Sequence, residues 1–138
     1  MSTNNKVILN VDGASRGNPG PAAIGVTIKD EECRLLAIIS ERIGTTTNNQ
    51  AEYKALIAGL QKAILIGAQR VSVNSDSELV VKQLQGSYRV NKAELKPLFE
   101  LVKRLICSLS YFEINYIPRE QNLEADKLAN KALDGLRG

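Results

Sequence analysis

Of the 15 acidic side chains in this 138-residue chain, four sit in settings that could bring them together. Asp12 closes the alternating apolar run V-I-L-N-V, and Glu52 lies in T-N-N-Q-A-E-Y at the start of a helical pattern. Asp76 follows a second β-like run, V-S-V-N-S, and Asp126 sits in N-L-E-A-D-K-L-A-N near the end. Acids delivered from strand ends and helix starts can converge on one point. Like charges a few ångströms apart resist joint ionisation, and hard divalent cations coordinated by oxygen relieve that repulsion. The chemistry within reach is that of a cation held by carboxylates.

Taken singly, each acid has an ordinary reading. Asp12-Gly13 suits a hairpin turn. Asn49 and Glu52 suit a helix cap and its reciprocal acid. Ser75-x-x-Glu78 reads as a capping box, with Asp76 at the first helical position, where it favours the helix dipole. Asp126 beside Lys127 reads as an exposed helical acid. The run G-N-P-G-P lacks a following Gly-Lys-Ser/Thr and reads as a turn, not a phosphate loop.

Composition narrows the field. There is no His, which excludes His-based zinc sites and His-dependent triads. A net charge of +3 permits a polyanionic partner without demanding one. No apolar run approaches the ~18 residues that span a membrane, and M-S-T-N-N-K is not the apolar start of a signal peptide. The expectation is a soluble, cytoplasmic, monomeric protein. Cys33 and Cys107 are the only cysteines, far apart, and reduced thiols are the default for them.

The elements that would carry the acids follow from periodicity. Residues 6–12, 22–29 and 34–42 read as strands in an antiparallel meander, with a Gly/Pro-rich loop over 13–21. Residues 49–66 read as a helix with a small-residue face, stopped at Gly67. A short strand follows at 71–74. A brief helix over 76–84, capped by Ser75, then ends at Gly86. Leu95 to Leu109 recur at helical spacing, giving a helix over 93–109 with Pro97 in its first turn. A strand at 112–117 and a helix at 122–134 complete the chain. One domain over 1–138 is expected, with a flexible tail over about 1–5. The order β-β-β-α-β-α-α-β-α implies a mixed sheet with helices on both faces.

In conjunction, the segments D-G-A-S-R-G-N-P-G-P at 12–21, T-N-N-Q-A-E at 47–52, S-D-S-E at 75–78 and Q-N-L-E-A-D-K-L-A at 121–129 resemble the type 1 ribonuclease H family. The resemblance covers about residues 6–134. It implies an α/β fold of the ribonuclease H type, with a five-stranded mixed sheet. It also implies an endonuclease that hydrolyses the RNA strand of RNA–DNA hybrids, leaving 5′-phosphate and 3′-hydroxyl ends. Asp12, Glu52, Asp76 and Asp126 match the family's catalytic, metal-binding quartet. Two Mg²⁺ ions, or Mn²⁺, would activate the water and stabilise the departing oxygen. Asn18, Asn48 and Asn49 match minor-groove contacts, with Gln50 beside them; amides that donate and accept suit a 2′-hydroxyl. Thr47 and Asn91 match a pocket for a phosphate of the DNA strand.

Two departures from the family pattern stand out. Where many members carry a His before the last acid, this chain has Y-I-P-R-E-Q, and Arg119 is the only candidate stand-in. A guanidinium can steady a phosphate but cannot shuttle a proton near neutrality. The loop G-S-Y-R-V-N-K at 86–92 is too short for the basic, Trp-bearing protrusion of many relatives, leaving Lys82, Arg89, Lys92 and Lys96 as a modest basic patch. Looser substrate choice, extending to double-stranded RNA, is therefore expected. The alternatives are a non-catalytic nucleic-acid module on the same fold and a different nuclease or strand-transferase of the wider superfamily.

Overall fold

The alternation in V-I-L-N-V builds the centre of the molecule. In the computed structural model, which describes residues 5–135, Val7, Leu9 and Val11 are buried on the middle strand of a five-stranded sheet. That strand, β1 (Lys6–Ser15), pairs antiparallel with β2 (Gly20–Asp30), and β2 pairs antiparallel with β3 (Leu35–Thr46). On its other side β1 runs parallel to β4 (Arg70–Ser75), and β4 runs parallel to β5 (Tyr111–Tyr116). The sheet order is β3-β2-β1-β4-β5. The mixed sheet expected from the element order is therefore observed. The expected tail lies outside the described residues except for Asn5.

Helix α1 (Asn48–Leu65) packs on β1 and β2, and α3 (Lys96–Cys107) packs on α1. The short α2 (Glu78–Leu84) contacts α1 and β5. Helix α4 (Leu123–Asp134) covers the opposite face of β1, β2 and β3. Two glycines beside Asp12 let the helices come close enough to matter. A Cβ on Gly13 would lie 2.2 Å from the carbonyl of Ala51, on the first turns of α1. A Cβ on Gly25, the cross-strand partner of Asp12, would lie 2.1 Å from the carbonyl oxygen of Ala125 on α4. Gly13 thus admits the helix that carries Glu52, and Gly25 admits the helix that carries Asp126.

Several boundaries depart from the expectations. β1 continues through Asp12 to Ser15 and Gly13 pairs with Ile24, so Asp12-Gly13 is strand and not a hairpin turn. β3 runs on to Thr46 because pairing with β2 persists past a register shift at Ala22/Ala23. The cap of α1 is Thr47: its Oγ1 accepts from Gln50 N at 3.2 Å, while Gln50 Oε1 accepts from Thr47 N at 2.9 Å. That capping box leaves Asn49 and Glu52 free of capping duty. α2 begins two residues later than expected, capped by Ser77, whose Oγ accepts from Val80 N. Ser75 Oγ instead accepts from Ser77 N, so the Ser75–Glu78 box does not form and Asp76 precedes the helix. α3 starts at Lys96, with Pro97 in its first turn as expected; Leu95 is buried and so joins the apolar period, yet lies ahead of the helix. Gly67 and Gly86, both at positive φ, follow α1 and α2 as expected.

Candidate active site

Asp12, Glu52 and Asp76 come from three different elements: a central strand, the second turn of α1 and the end of β4. Each presents one carboxylate oxygen, and these oxygens all lie within 4.8 Å of one another. Asp12 and Glu52 are only 6% and 7% exposed. Glu52 is fixed by the backbone of Gly13, whose N–H donates to Oε1 at 2.8 Å. Asp126 enters from α4 beside Asp12, close enough for its charge to raise the Asp12 carboxyl. Asp126 Oδ1 accepts from Asn130 Nδ2 at 3.2 Å and lies 3.5 Å from an Arg119 guanidinium nitrogen. All four acids line one cleft of about 380 Å³, together with Ser15, Asn48, Arg119 and Asn130. The convergence expected of the four acids is thus present, with three tightly grouped and Asp126 at their side.

The electrostatics match the crowding. Burial, reinforced by the charges of Asp76 and Asp126, pushes the Asp12 carboxyl up from 3.8 to about 8. Burial and the neighbouring Asp12 raise Glu52 well above the usual range, against the opposing Gly13 N–H. Asp76 is raised chiefly by burial, opposed by a hydrogen bond from Asn122 and by the Arg119 charge. Such a set holds protons tightly because its charges repel in a partly dry site. A divalent cation bound through oxygen removes that cost, and the donor set contains no nitrogen or sulfur ligand. The residues present therefore fit a hard divalent cation.

The other expected site residues divide into two groups. Asn18 Oδ1 accepts from Asn48 N at 2.9 Å, tying the β1–β2 loop to the start of α1 at the mouth of the cleft. Thr47, Asn49 and Gln50 stand on the same helical start, although Thr47 and Gln50 use their side chains in the cap. Arg119, in a 3-10 turn at 119–121, is exposed and lines the cleft. Asn91 lies apart, exposed between α2 and α3 and outside the cleft lining. Lys82, whose ammonium lies 5.8 Å from the centre of the Tyr88 ring, shares that region with the exposed Arg89, Lys92 and Lys96.

Sequence reasoning missed Asn122 and Asn130. Asn122 is 1% exposed, and its Nδ2 donates to the carbonyl of Val11 at 2.9 Å. Both stand four residues from Asp126, one helical turn to either side, and that spacing is the signal that could have exposed them.

A mixed sheet ordered β3-β2-β1-β4-β5, with an acidic cleft beside its central strands whose oxygen donors fit a hard divalent cation, is an arrangement of the ribonuclease H-like class. Residues 10–132 match the family described as reverse transcriptase-like. The chain is 43% identical over 123 residues to a ribonuclease HI of Halobacterium salinarum, covering 89% of this chain and 62% of that relative. It is 41% identical over 130 residues to a bifunctional protein of Mycobacterium tuberculosis, covering 94% of this chain and 36% of that one. The chain thus spans about a third to three-fifths of the length of these curated relatives. Among solved structures, LC11-RNase H1 in complex with an RNA/DNA hybrid superposes with a TM-score of 0.91 at 42% identity, covering 96% of this chain and 99% of that one. The chain belongs to the type 1 ribonuclease H family.

Proposed function

We propose that this chain is an endonuclease that hydrolyses the RNA strand of RNA–DNA hybrids, leaving 5′-phosphate and 3′-hydroxyl ends. The carrying observation is the meeting of three carboxylate oxygens within 4.8 Å from elements far apart in sequence. Asp12, Glu52, Asp76 and Asp126 are assigned as catalytic metal ligands. When bound, two Mg²⁺ ions, or Mn²⁺ in their place, would supply the charge that activates water and stabilises the leaving oxygen.

The chain's own residues do the rest. Gly13 N–H orients Glu52, and Asn122 orients Asp76. Arg119 sits at the rim as a counter-charge for the phosphate. Without a His the departing proton leaves to water. Asn18, Asn48, Asn49 and Gln50 are assigned to the minor groove of the hybrid, where amides can read a 2′-hydroxyl. Thr47 and Asn91 are assigned to a phosphate of the DNA strand. A solved relative bound to an RNA/DNA hybrid supports this substrate class. The short 86–92 loop favours a second activity on double-stranded RNA, since both duplexes are near A-form.

The test is to incubate labelled hybrid, duplex RNA, duplex DNA and single strands with Mg²⁺ and with EDTA. Metal-dependent cutting of RNA within the hybrid supports the proposal. Binding without cutting, or cutting of duplex DNA, contradicts it. The same reading takes the enzyme to act as a monomer in the cytoplasm, so gel filtration should give a mass near 15.1 kDa.

A further inference from the structure

Asparagine is a poor strand residue, yet Asn10 and Asn74 stand directly opposite each other on the adjacent central strands β1 and β4. Such a local misfit inside a sheet calls for a compensating purpose. Their side chains form a chain of amides. Asn74 Nδ2 donates to Asn10 Oδ1 at 3.4 Å, and Asn10 Nδ2 donates to Asn122 Oδ1 at 3.0 Å. Asn122 Nδ2 in turn donates to the carbonyl of Val11, one residue before Asp12, and Asn122 lies close enough to Asp76 to hold its carboxyl down against the effect of burial. Every link donates in the same direction, toward the acids.

Asn122 departs from local expectation in a second way. It occupies the N-cap position of α4, where an Asn side chain normally accepts from the helix. Here it makes no capping bond and turns into the sheet instead. Its own carbonyl accepts from Asp126 N at 3.1 Å. One buried residue therefore bonds the strand that carries Asp12 and the backbone of Asp126, and stands beside Asp76.

We propose that the row Asn74–Asn10–Asn122 is a positioning device that sets where the α4 acid and Asp76 stand relative to Asp12. Asn10, the middle link, is a positioning residue: it touches none of the acids and acts through Asn122. The inference rests on the metal-binding reading above. A linked polar chain in a part-buried setting polarises along its length and resists displacement, and groups that orient metal ligands typically govern affinity by 10- to 100-fold.

The test replaces Asn10 with Val, a good strand residue that cannot hydrogen-bond, and separately with Ser, which is smaller and cannot reach Asn122. Mn²⁺ is titrated into each protein by calorimetry without substrate, and metal-free thermal melting is recorded alongside. The expected result is a fall in Mn²⁺ affinity on the order of tenfold in whichever variant folds. A purely structural role would lower the melting temperature and leave the affinity of the folded protein unchanged, and that result in either variant overturns the proposal. Absence of Mn²⁺ binding by the wild type would count instead against the metal-binding reading.

Discussion

Replacing Asp12 with Asn should stabilise the metal-free protein, and the gain should depend on pH. The folded carboxyl has its pKa raised from 3.8 to about 8. A raised acid contributes its stability fully below the unfolded value and loses it as pH climbs toward the folded one. From pH 3.8 to pH 7 each unit costs the folded state about 1.4 kcal/mol, giving an upper bound near 4 kcal/mol. Residual structure in the unfolded chain and relaxation around the site reduce this to about 2 kcal/mol. For a chain of this size that corresponds to a rise in melting temperature of roughly 7 °C at pH 7 to 8. At pH 4 the gain should shrink toward zero, because Asp12 is then protonated in the folded state. The Asn side chain has the size and shape of the carboxyl it replaces, so little else is lost. Added Mg²⁺ should reverse the order: a hundredfold excess over Kd stabilises the wild type by about 2.7 kcal/mol and leaves the variant with much less. Calorimetric melting of both proteins at pH 4, 6 and 8, with and without Mg²⁺, is the assay. A gain equal at pH 4 and pH 8, or no gain at all, would refute the electrostatic argument.

Glu52→Gln keeps an oxygen for Gly13 N–H but removes a ligand charge, so it should lower turnover by at least about a hundredfold with the fold intact; circular dichroism and hybrid cleavage check both halves. Cation affinity should fall about tenfold per pH unit below about 8 as protons compete for Asp12, measured by Mn²⁺ titration from pH 6 to 9. At saturating metal the pH–rate profile should carry no step near pH 6–7, since the chain has no His. The double variant Arg89→Ala/Lys92→Ala should flatten the salt dependence of hybrid binding, by a log–log slope of about 1 to 2; an unchanged slope removes that patch from the phosphate contacts.

Much of the architecture was legible because binary patterns survive without tertiary information. Val7, Leu9 and Val11 announce a buried strand, and the small-residue face of α1 announces close packing on a sheet. Boundaries were less legible where backbone pairing overrides local chemistry. Gly13 looks like a turn residue, but its missing side chain serves the approach of Ala51 while its backbone stays in the sheet. Ser75 has the spacing of a cap, yet Ser77 takes that role because β4 extends through Ser75. The four acids could be named from their segments. Their unequal grouping could not, because it depends on how deeply α4 settles on Gly25. Asn10, Asn74 and Asn122 were invisible for a related reason: two are misfits within strands and the third resembles an ordinary cap, so their connection exists only once the sheet and α4 meet.

The central claim is a shared cation site made by residues 12, 52, 76 and 126. Anomalous diffraction from crystals grown with Mn²⁺ tests it most directly. A peak in the cleft within coordination distance, about 2.0–2.6 Å, of carboxylate oxygens of Asp12 and its neighbours is the predicted result. Density for these side chains with no metal peak among them at millimolar Mn²⁺, or with the ion bound elsewhere, would contradict it.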